Sequence, residues 1–455
     1  MKKLSVVLFV LLFQACTSFV FAQDKAQELL RDAGELAHQT EYKKAEQVFL
    51  QAREEFLKQE NKDMARQCLL GAWQMRRVLL QYPHTQEQAR KLLKDAFPDV
   101  GDKERDSWFA EGRVDFLQVG EEKLYFEGAA NNVAFRDIPL IQKTMEKKGE
   151  QDPFFDEAWG IVFRAPKSGY PARAWKPLVN PVKYLVEYSL VIPREKLPKE
   201  GTLKLWVPLP IQTEAQVGSR VVSVSPEEYL KMPPQLNAEI GIAYLEVDLG
   251  ALKEKLDISI SALFSRYEER YAIDPANVGE YDKESELYKR YTRSQKNIPV
   301  NEEFRKKALE ITGGEKNPYL AAGRIYHYIL ENIRYSYVPH VMLDALDIPE
   351  AVFVMNNSYG DCGAQSMYFS SLCRSIGIPA RSCGGLQLFP GIEGDHFGRN
   401  FIFLITAGSR WIRRLPRAPT GQPALPRSRG RPTRNSISAI LILTAWCFRM
   451  TLMFR

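Results

Sequence analysis

The segment Tyr359-Gly360-Asp361-Cys362-Gly363-Ala364-Gln365-Ser366 places one thiol where a sharp turn gives way to a helix. Gly360 permits the turn, and Cys362 then falls at or near the first helical turn. Unpaired backbone N–H groups and the helix dipole favour negative charge there. A thiol in that position has a lowered pKa, and its thiolate is a nucleophile. The same amides can stabilise an oxyanion. Such an enzyme also needs a base, and the chain has five histidines. His38 and His84 fall in the N-terminal helical region, His327 sits mid-helix and His340 follows a proline. His396, in Gly394-Asp395-His396-Phe397, comes a strand, a loop and a strand after the cysteine helix, a spacing that can bring imidazole beside the thiol. Alone, a helix-start cysteine is more often core, and a histidine beside Asp395 is more often a surface residue. The combination shifts that balance.

The stretch between them sharpens the reading. Tyr359 to Ser366, then Leu372-Cys373-Arg374-Ser375-Ile376-Gly377-Ile378-Pro379-Ala380-Arg381, then Gly394 to Phe397, strongly resembles the transglutaminase-like superfamily. Upstream, Tyr188 to Gln216, with Leu205-Trp206-Val207-Pro208-Leu209-Pro210, resembles the β domain that precedes the core in many bacterial members. The resemblance spans roughly residues 180–397. It implies a papain-like Cys-His-Asp triad, with Cys362 as nucleophile and His396 as general base. Cys373 lies about three helical turns beyond Cys362, too far along the axis to bond it, and reads as core.

After Phe397 the resemblance breaks. The family expects Trp-Ala-Glu-Phe-Tyr and then Gly-Trp-Ile-Pro-Val-Asp-Thr, whose Asp completes the triad. Here the chain reads Gly398-Arg399-Asn400-Phe401 and later Trp411-Ile412, and from Gly398 to Arg455 it holds eleven Arg and no Lys, Asp or Glu. The third triad Asp is therefore absent. A single missing T before codon 398 accounts for this, because plausible codons re-read one base back give the family's pattern. Trp is TGG and Ile begins AT, so Trp411-Ile412 must contain GAT, an Asp codon, at the expected place. Asp395 is a poor substitute, since on a strand it points to the face opposite His396.

The positioning elements follow from periodicity. Residues 23–100 read as a helical hairpin or small bundle: Ala26, Leu29, Leu30, Ala33, Leu36 and Ala37 recur at helical spacing. Tyr42, Ala45, Val48, Phe49, Ala52 and Phe56 define a second helix, and Met64, Cys68, Leu69, Ala72 and Trp73 a third. The pattern is weakly tetratricopeptide-like but shows no repeat of about 34 residues. Packing is its expected role, and binding of a protein partner is the alternative. Residues 101–175 are a mixed connecting region, with loops at Asp152-Pro153 and Ala165 to Pro171. Residues 176–270 are a β domain, in which Val182, Tyr184, Val186, Tyr188, Leu190 and Ile192 alternate with polar residues, as do Leu203, Leu205, Val207 and Leu209, and Leu256, Ile258 and Ile260. A small antiparallel sandwich fits them. Residues 281–397 form the core, with a helix from Leu320 to Tyr335 that turns Ala322, Ile325, Tyr328, Ile329 and Ile333 inward. A second helix runs from Cys362 to near Gly377, with Pro379 beyond. Residues 398–455 are expected to be a disordered tail. The fold class is α+β: N-terminal helices, an antiparallel sandwich-like domain, then a papain-like core truncated at its C-terminal strands.

Bulk properties exclude several functions. The chain has 455 residues, too many for one hydrophobic core, and its 45% hydrophobic and 26% charged residues suit a globular protein. Taking the eleven tail arginines from the net charge of +6 leaves −5 for residues 1–397, so basicity does not signal nucleic acid. Lys2-Lys3, the apolar run Leu4 to Phe13 and Val20-Phe21-Ala22 read as a signal peptide over residues 1–22. The expectation is export to a periplasmic or extracellular compartment. A lipoprotein anchor at Cys16 is disfavoured by Phe13, three residues before it. No stretch beyond the N-terminus can span a membrane. Five scattered cysteines in the mature chain make no disulfide framework, and no metal or phosphate motif appears, so no cofactor is expected.

The expected function is thiolate attack on an amide of a protein or peptide, giving a thioester that water or an amine resolves, impaired here by loss of the triad Asp. Whether this polypeptide is an active enzyme is left open by that loss. The alternative is a non-catalytic exported scaffold or binding protein.

Overall fold

The computed structural model describes residues 25–137, 139–140, 178–269, 275–387, 394–401, 404–405 and 448–453. The expected signal peptide, Cys16, the loops at Asp152-Pro153 and 165–171, and residues 406–447 of the tail lie outside the described residues.

Four helices come first: α1 (25–38), α2 (Tyr42–Lys58), α3 (Lys62–Leu80) and α4 (Gln86–Ala96). The Asn61 side chain caps α3 by accepting from the Met64 amide, and Thr85 with Gln88 forms a reciprocal capping box on α4. Ala26, Ala52, Phe56, Ala65 and Cys68 close one apolar cluster between α1, α2 and α3. Gly71 of α3 lets the Phe49 ring approach; a Cβ there would meet the ring at 2.8 Å. Trp73, expected inward, is instead 52% exposed. The buried face of α3 runs through Ala65, Cys68, Ala72, Met75 and Val78, and position 73 is one step round the helix from it.

Residues 101–137 fold into α5 (Asp102–Ala110), the antiparallel hairpin β1 (Phe116–Val119) and β2 (Glu122–Tyr125), and α6 (Ala129–Arg136). The β domain follows with β3 (Leu178–Ile192), β4 (Thr202–Leu209), β5 (Gln216–Ser225), β6 (Gly241–Asp248) and β7 (Leu256–Glu269). Next come β8 (Val278–Gly279), α7 (Glu286–Thr292), α8 (Glu302–Thr312), α9 (Pro318–Asn332), β9 (Arg334–Tyr335), α10 (His340–Ala345) and α11 (Glu350–Asn357). The last elements are β10 (Tyr359–Gly360), α12 (Cys362–Ser375), β11 (Ala380–Gln387), β12 (Gly394–Phe401), β13 (Leu404–Ile405) and β14 (Phe448–Met453).

The β domain is antiparallel throughout. One sheet has the order β14-β3-β7-β5 and the other pairs β4 with β6. Alternation along each strand sends Val186, Val207, Leu209, Leu245, Ile258 and Ile260 into a single core. Burying each such side chain contributes about 1.5–3 kcal/mol before entropy is counted. Val182 departs from the expected alternation and is 42% exposed, because the ladder between β3 and β7 shifts register between Val179 and Val182. The tail also departs from expectation. Residues 448–453 form an edge strand on β3, with Phe448 opposite Leu190 and Met453 opposite Leu185, and residues 404–405 pair with β8. A sheet edge offers unpaired N–H and C=O groups, and a short apolar segment satisfies them.

Two further differences concern helices. The helix expected to reach Tyr335 stops at Asn332, and Arg334 and Tyr335 instead pair in parallel with Tyr359 and Gly360. The helix from Cys362 ends at Ser375, and Gly377 takes the left-handed conformation at φ +81° that closes it, with the Ile378 amide donating to the Cys373 carbonyl.

The chain divides into two compact units. One comprises Met1–Thr144, Lys296–Pro299 and Ile333–Ala364; the other comprises Met145–Gln295, Val300–Asn332 and Gln365–Arg455. The N-terminal helices thus share a unit with the segment that leads into Cys362, and the β domain shares one with β11 and β12.

Candidate active site

Cys362 is the first residue of the 14-residue helix α12 and is partly exposed, whereas Gly360, Asp361, Gly363 and Ala364 around it are buried. Its backbone is fixed from two sides. Before it, the β9–β10 pair holds Gly360 opposite Tyr335, with the Ser336 amide donating to the Gly360 carbonyl at 3.2 Å. At the helix start, Asp361 Oδ1 accepts from the Ala364 amide at 3.0 Å, a side-chain cap on α12.

The β9–β10 pair is itself braced by α6. Arg136 donates from Nη1 and Nη2 to the two oxygens of Asp115 at 2.8 and 2.9 Å, and from Nε to Ser336 Oγ at 2.7 Å. Its guanidinium carbon lies 4.0 Å from the centroid of the Tyr359 ring. Asn132 donates to Asp115 and to the Tyr337 carbonyl and accepts from the Tyr337 amide at 2.7 Å, extending the backbone pairing with a side chain. Phe135 meets Tyr335 and Tyr337 edge to face. Within this unit, residues 115–137 therefore support the cysteine segment directly; composition gave no sign of that role, since none of these residues shares a motif with Cys362.

Two phenols face the nucleophile. Burial pushes Tyr335 well above its ordinary value, the charges of Cys362 and Asp361 push it further, and a hydrogen bond with the Cys362 backbone pulls the other way. Burial, then Asp361 and Cys362, raise Tyr337 as well. Both phenols stay neutral at physiological pH. Tyr359 is pushed up to about 12 by burial and by Asp115, against the pull of Arg136.

The residue that sequence reasoning set aside is His340. It is the first residue of α10, and both ring nitrogens meet carboxylates: Nδ1 lies 2.8 Å from Glu350 Oε1 and Nε2 lies 2.5 Å from Asp361 Oδ2. Burial alone would push this imidazole down. The charge and hydrogen bond of Asp361, and then those of Glu350, outweigh it and push it up to about 11. Its side chain is 44% exposed, so solvent screens the pairs, yet two carboxylate partners keep the ring an imidazolium at neutral pH. A ring with both nitrogens donating to carboxylates has no lone pair with which to take a thiol proton. His340 is thus unsuited to be the base.

His396 lies on β12, opposite Gly385 of β11 in an antiparallel ladder that runs from Ala380–Phe401 to Gln387–Gly394. Cys362 and His396 belong to different units; within its own unit Cys362 interacts with Tyr335 and Tyr337, and the adjacent Asp361 meets His340. Of the other histidines, His84 bridges to Tyr125 and His327 lies on α9. Cys373 is fully buried, as expected of a core residue. Among the described residues no cluster of His, Cys, Asp and Glu is suited to a metal ion.

Residues 305–413 match the family model described as the transglutaminase-like superfamily, and that match contains both Cys362 and His396. The chain carries a transglutaminase-like core. A relative from Haemophilus influenzae, described as an uncharacterized protein, is 26% identical over 210 residues, which are 44% of this chain and 54% of that one. The chain thus spans about half the length of the curated relative it matches. Among solved structures, a protein from Cytophaga hutchinsonii described as a proposed cysteine protease aligns at 16% identity and a TM-score of 0.37, over 53% of this chain and 83% of that one. The periplasmic domain of TgpA from Pseudomonas aeruginosa aligns at 11% identity and a TM-score of 0.22, over 49% and 86%. The transglutaminase-like core ends sixteen residues beyond Phe397 by the family match, in the stretch that contains Trp411-Ile412. Its α+β architecture, with helices first and antiparallel sheets after them, is the one expected.

Proposed function

We propose that Cys362 is the nucleophile of an amide-directed acyl-transfer reaction. His396 takes the thiol proton, the sulfur anion attacks the carbonyl carbon of a protein or peptide amide, the C–N bond breaks, and the amine leaves with that proton returned by His396. The acyl group remains on sulfur as a thioester. Water or a second amine then attacks the thioester as His396 takes the proton of the incoming group, the C–S bond breaks to release an acid or a new amide, and the proton returns to the sulfur. The observation that supports this best is the position of a partly exposed thiol as the first residue of a capped helix. Replacement of Cys362 by Ala, with its fold checked by circular dichroism, tests it: loss of amide hydrolysis or amine incorporation is expected, and unchanged turnover would remove the reading.

This polypeptide is proposed to turn over weakly. From Gly398 onward the chain contains no Asp or Glu, so no carboxylate after His396 in sequence is available to orient and stabilise its ring. A single-base deletion near codon 398 is the proposed origin, and an unbroken frame encoding this same tail in independent reads of the locus would remove it. Export to the periplasm or beyond is proposed from the signal-like residues 1–22. No helix among the described residues is long and apolar enough to cross a membrane.

A further inference from the structure

We propose that His340 is a positioning residue for the Cys362 thiol: its ring, bridged between Glu350 and Asp361, fixes and neutralises the carboxylate that caps the nucleophile's helix. The proposal rests on Cys362 being the nucleophile.

Three helices begin at this cluster. His340 opens α10, Glu350 opens α11, and Asp361 immediately precedes α12. One ring therefore ties three chain segments together, over separations of 10 and 21 residues. Asp361 is held through both oxygens, one by the Ala364 amide and the other by His340, so it has no freedom to rotate away from the helix start. Its position next to Cys362 has a cost. A carboxylate beside a thiol disfavours the thiolate, and an uncompensated Asp361 would oppose the helix dipole. The imidazolium offsets that opposition. Tyr335 and Tyr337 also face Cys362, and both phenols are neutral, so neither supplies compensating charge. Glu350 completes the bridge from the far side; it is 8% exposed, and its Oε2 is buried without a hydrogen-bond partner. With two carboxylates against one imidazolium, the cluster has a net negative charge, and losing the ring would leave both carboxylates unpaired.

The test is the pH dependence of Cys362 alkylation by iodoacetamide in the full chain, read on the Cys362 peptide by mass spectrometry. In His340→Gln the midpoint is expected to rise by about one pH unit, roughly a tenfold loss of thiolate at neutral pH. Asp361→Asn, which keeps a capping oxygen, is expected to lower it. The double variant is expected to return to the parental midpoint, and a purely structural role would not restore it. An unmoved midpoint in His340→Gln, or a double variant that behaves like His340→Gln, would overturn the proposal. If His340→Gln does not fold, Asp361→Asn alone decides, since an unchanged or raised midpoint there contradicts the charge coupling. If the parental thiol titrates like a free cysteine while the variants still shift it, the coupling stands and the nucleophile reading falls. If the parental thiol is activated and the variants leave it so, only the coupling falls.

Discussion

The segment that carries Cys362 and the segment that carries His396 are built in opposite ways. Residues 334–364 are cross-braced: Arg136 with Asp115, Asn132 with Tyr337, and His340 with two carboxylates all hold the backbone within two strands of the thiol. Residues 380–387 and 394–401 form a two-stranded ladder, and after Asp395 the sequence holds no further Asp or Glu. The cysteine side is rich in fixed acids committed to cations or amides, while the sequence after His396 holds no Asp or Glu. Ion pairs and caps complete a helix start from within one unit, whereas the proposed triad would need an acid from beyond His396.

Supplying the missing acid breaks the contrast most directly. A chain with the frame restored at codon 398, and with it the Asp encoded across Trp411-Ile412, is expected to turn over amide substrate about 10²–10⁴ times faster than the present chain. Equal turnover would show that the His396 side needs no downstream acid. Next in size is the brace. Arg136→Met leaves Asp115 partly buried without its cation, and urea unfolding is expected to show a loss of about 3 kcal/mol. Arg381→Met in β11, where the guanidinium makes a 3.2 Å bond to Tyr291, is expected to cost about 1 kcal/mol. Similar losses in the two variants would erase the difference between the two segments. A third comparison uses two partly exposed thiols, Cys362 on the helix start and Cys383 in β11. Iodoacetamide at neutral pH is expected to label Cys362 at least about tenfold faster.

The smallest effect is on stability. The ordinary value of an imidazole is 6.5, and His340 is raised to about 11 in the folded chain. Its contribution is therefore complete below pH 6.5 and declines as pH rises toward 11. The unfolding free energy of the parental chain is expected to fall more steeply between pH 7 and pH 10 than that of His340→Gln. Parallel slopes would contradict the folded-state ion pair.

Which parts were legible from the sequence follows the range of the interactions. Strand alternation in β3, β4 and β7 depends on the two faces of one segment, and it gave the sandwich core correctly, except at Val182, where a ladder irregularity intervenes. The helix from Cys362 was legible because its start and stop signals, the turn at Gly360 and the helix end at Gly377, are local. The surroundings of the thiol were not legible. Tyr335 continues an apolar helical pattern, but its pairing partner Gly360 comes 25 residues later, and that parallel pairing ends the helix early. His340 carries no motif, because its two partners stand 10 and 21 residues away and only the packing of α10 and α11 brings them to it. The role of Arg136 rests on Ser336, 200 residues away.

The account stands on an activated sulfur at residue 362. The most direct measurement is the rate of Cys362 alkylation in the parental chain as a function of pH, followed on its own peptide. A midpoint at or below about 7.5 is predicted, against about 8.5 for a free thiol. A midpoint at or above the free-thiol value would contradict it.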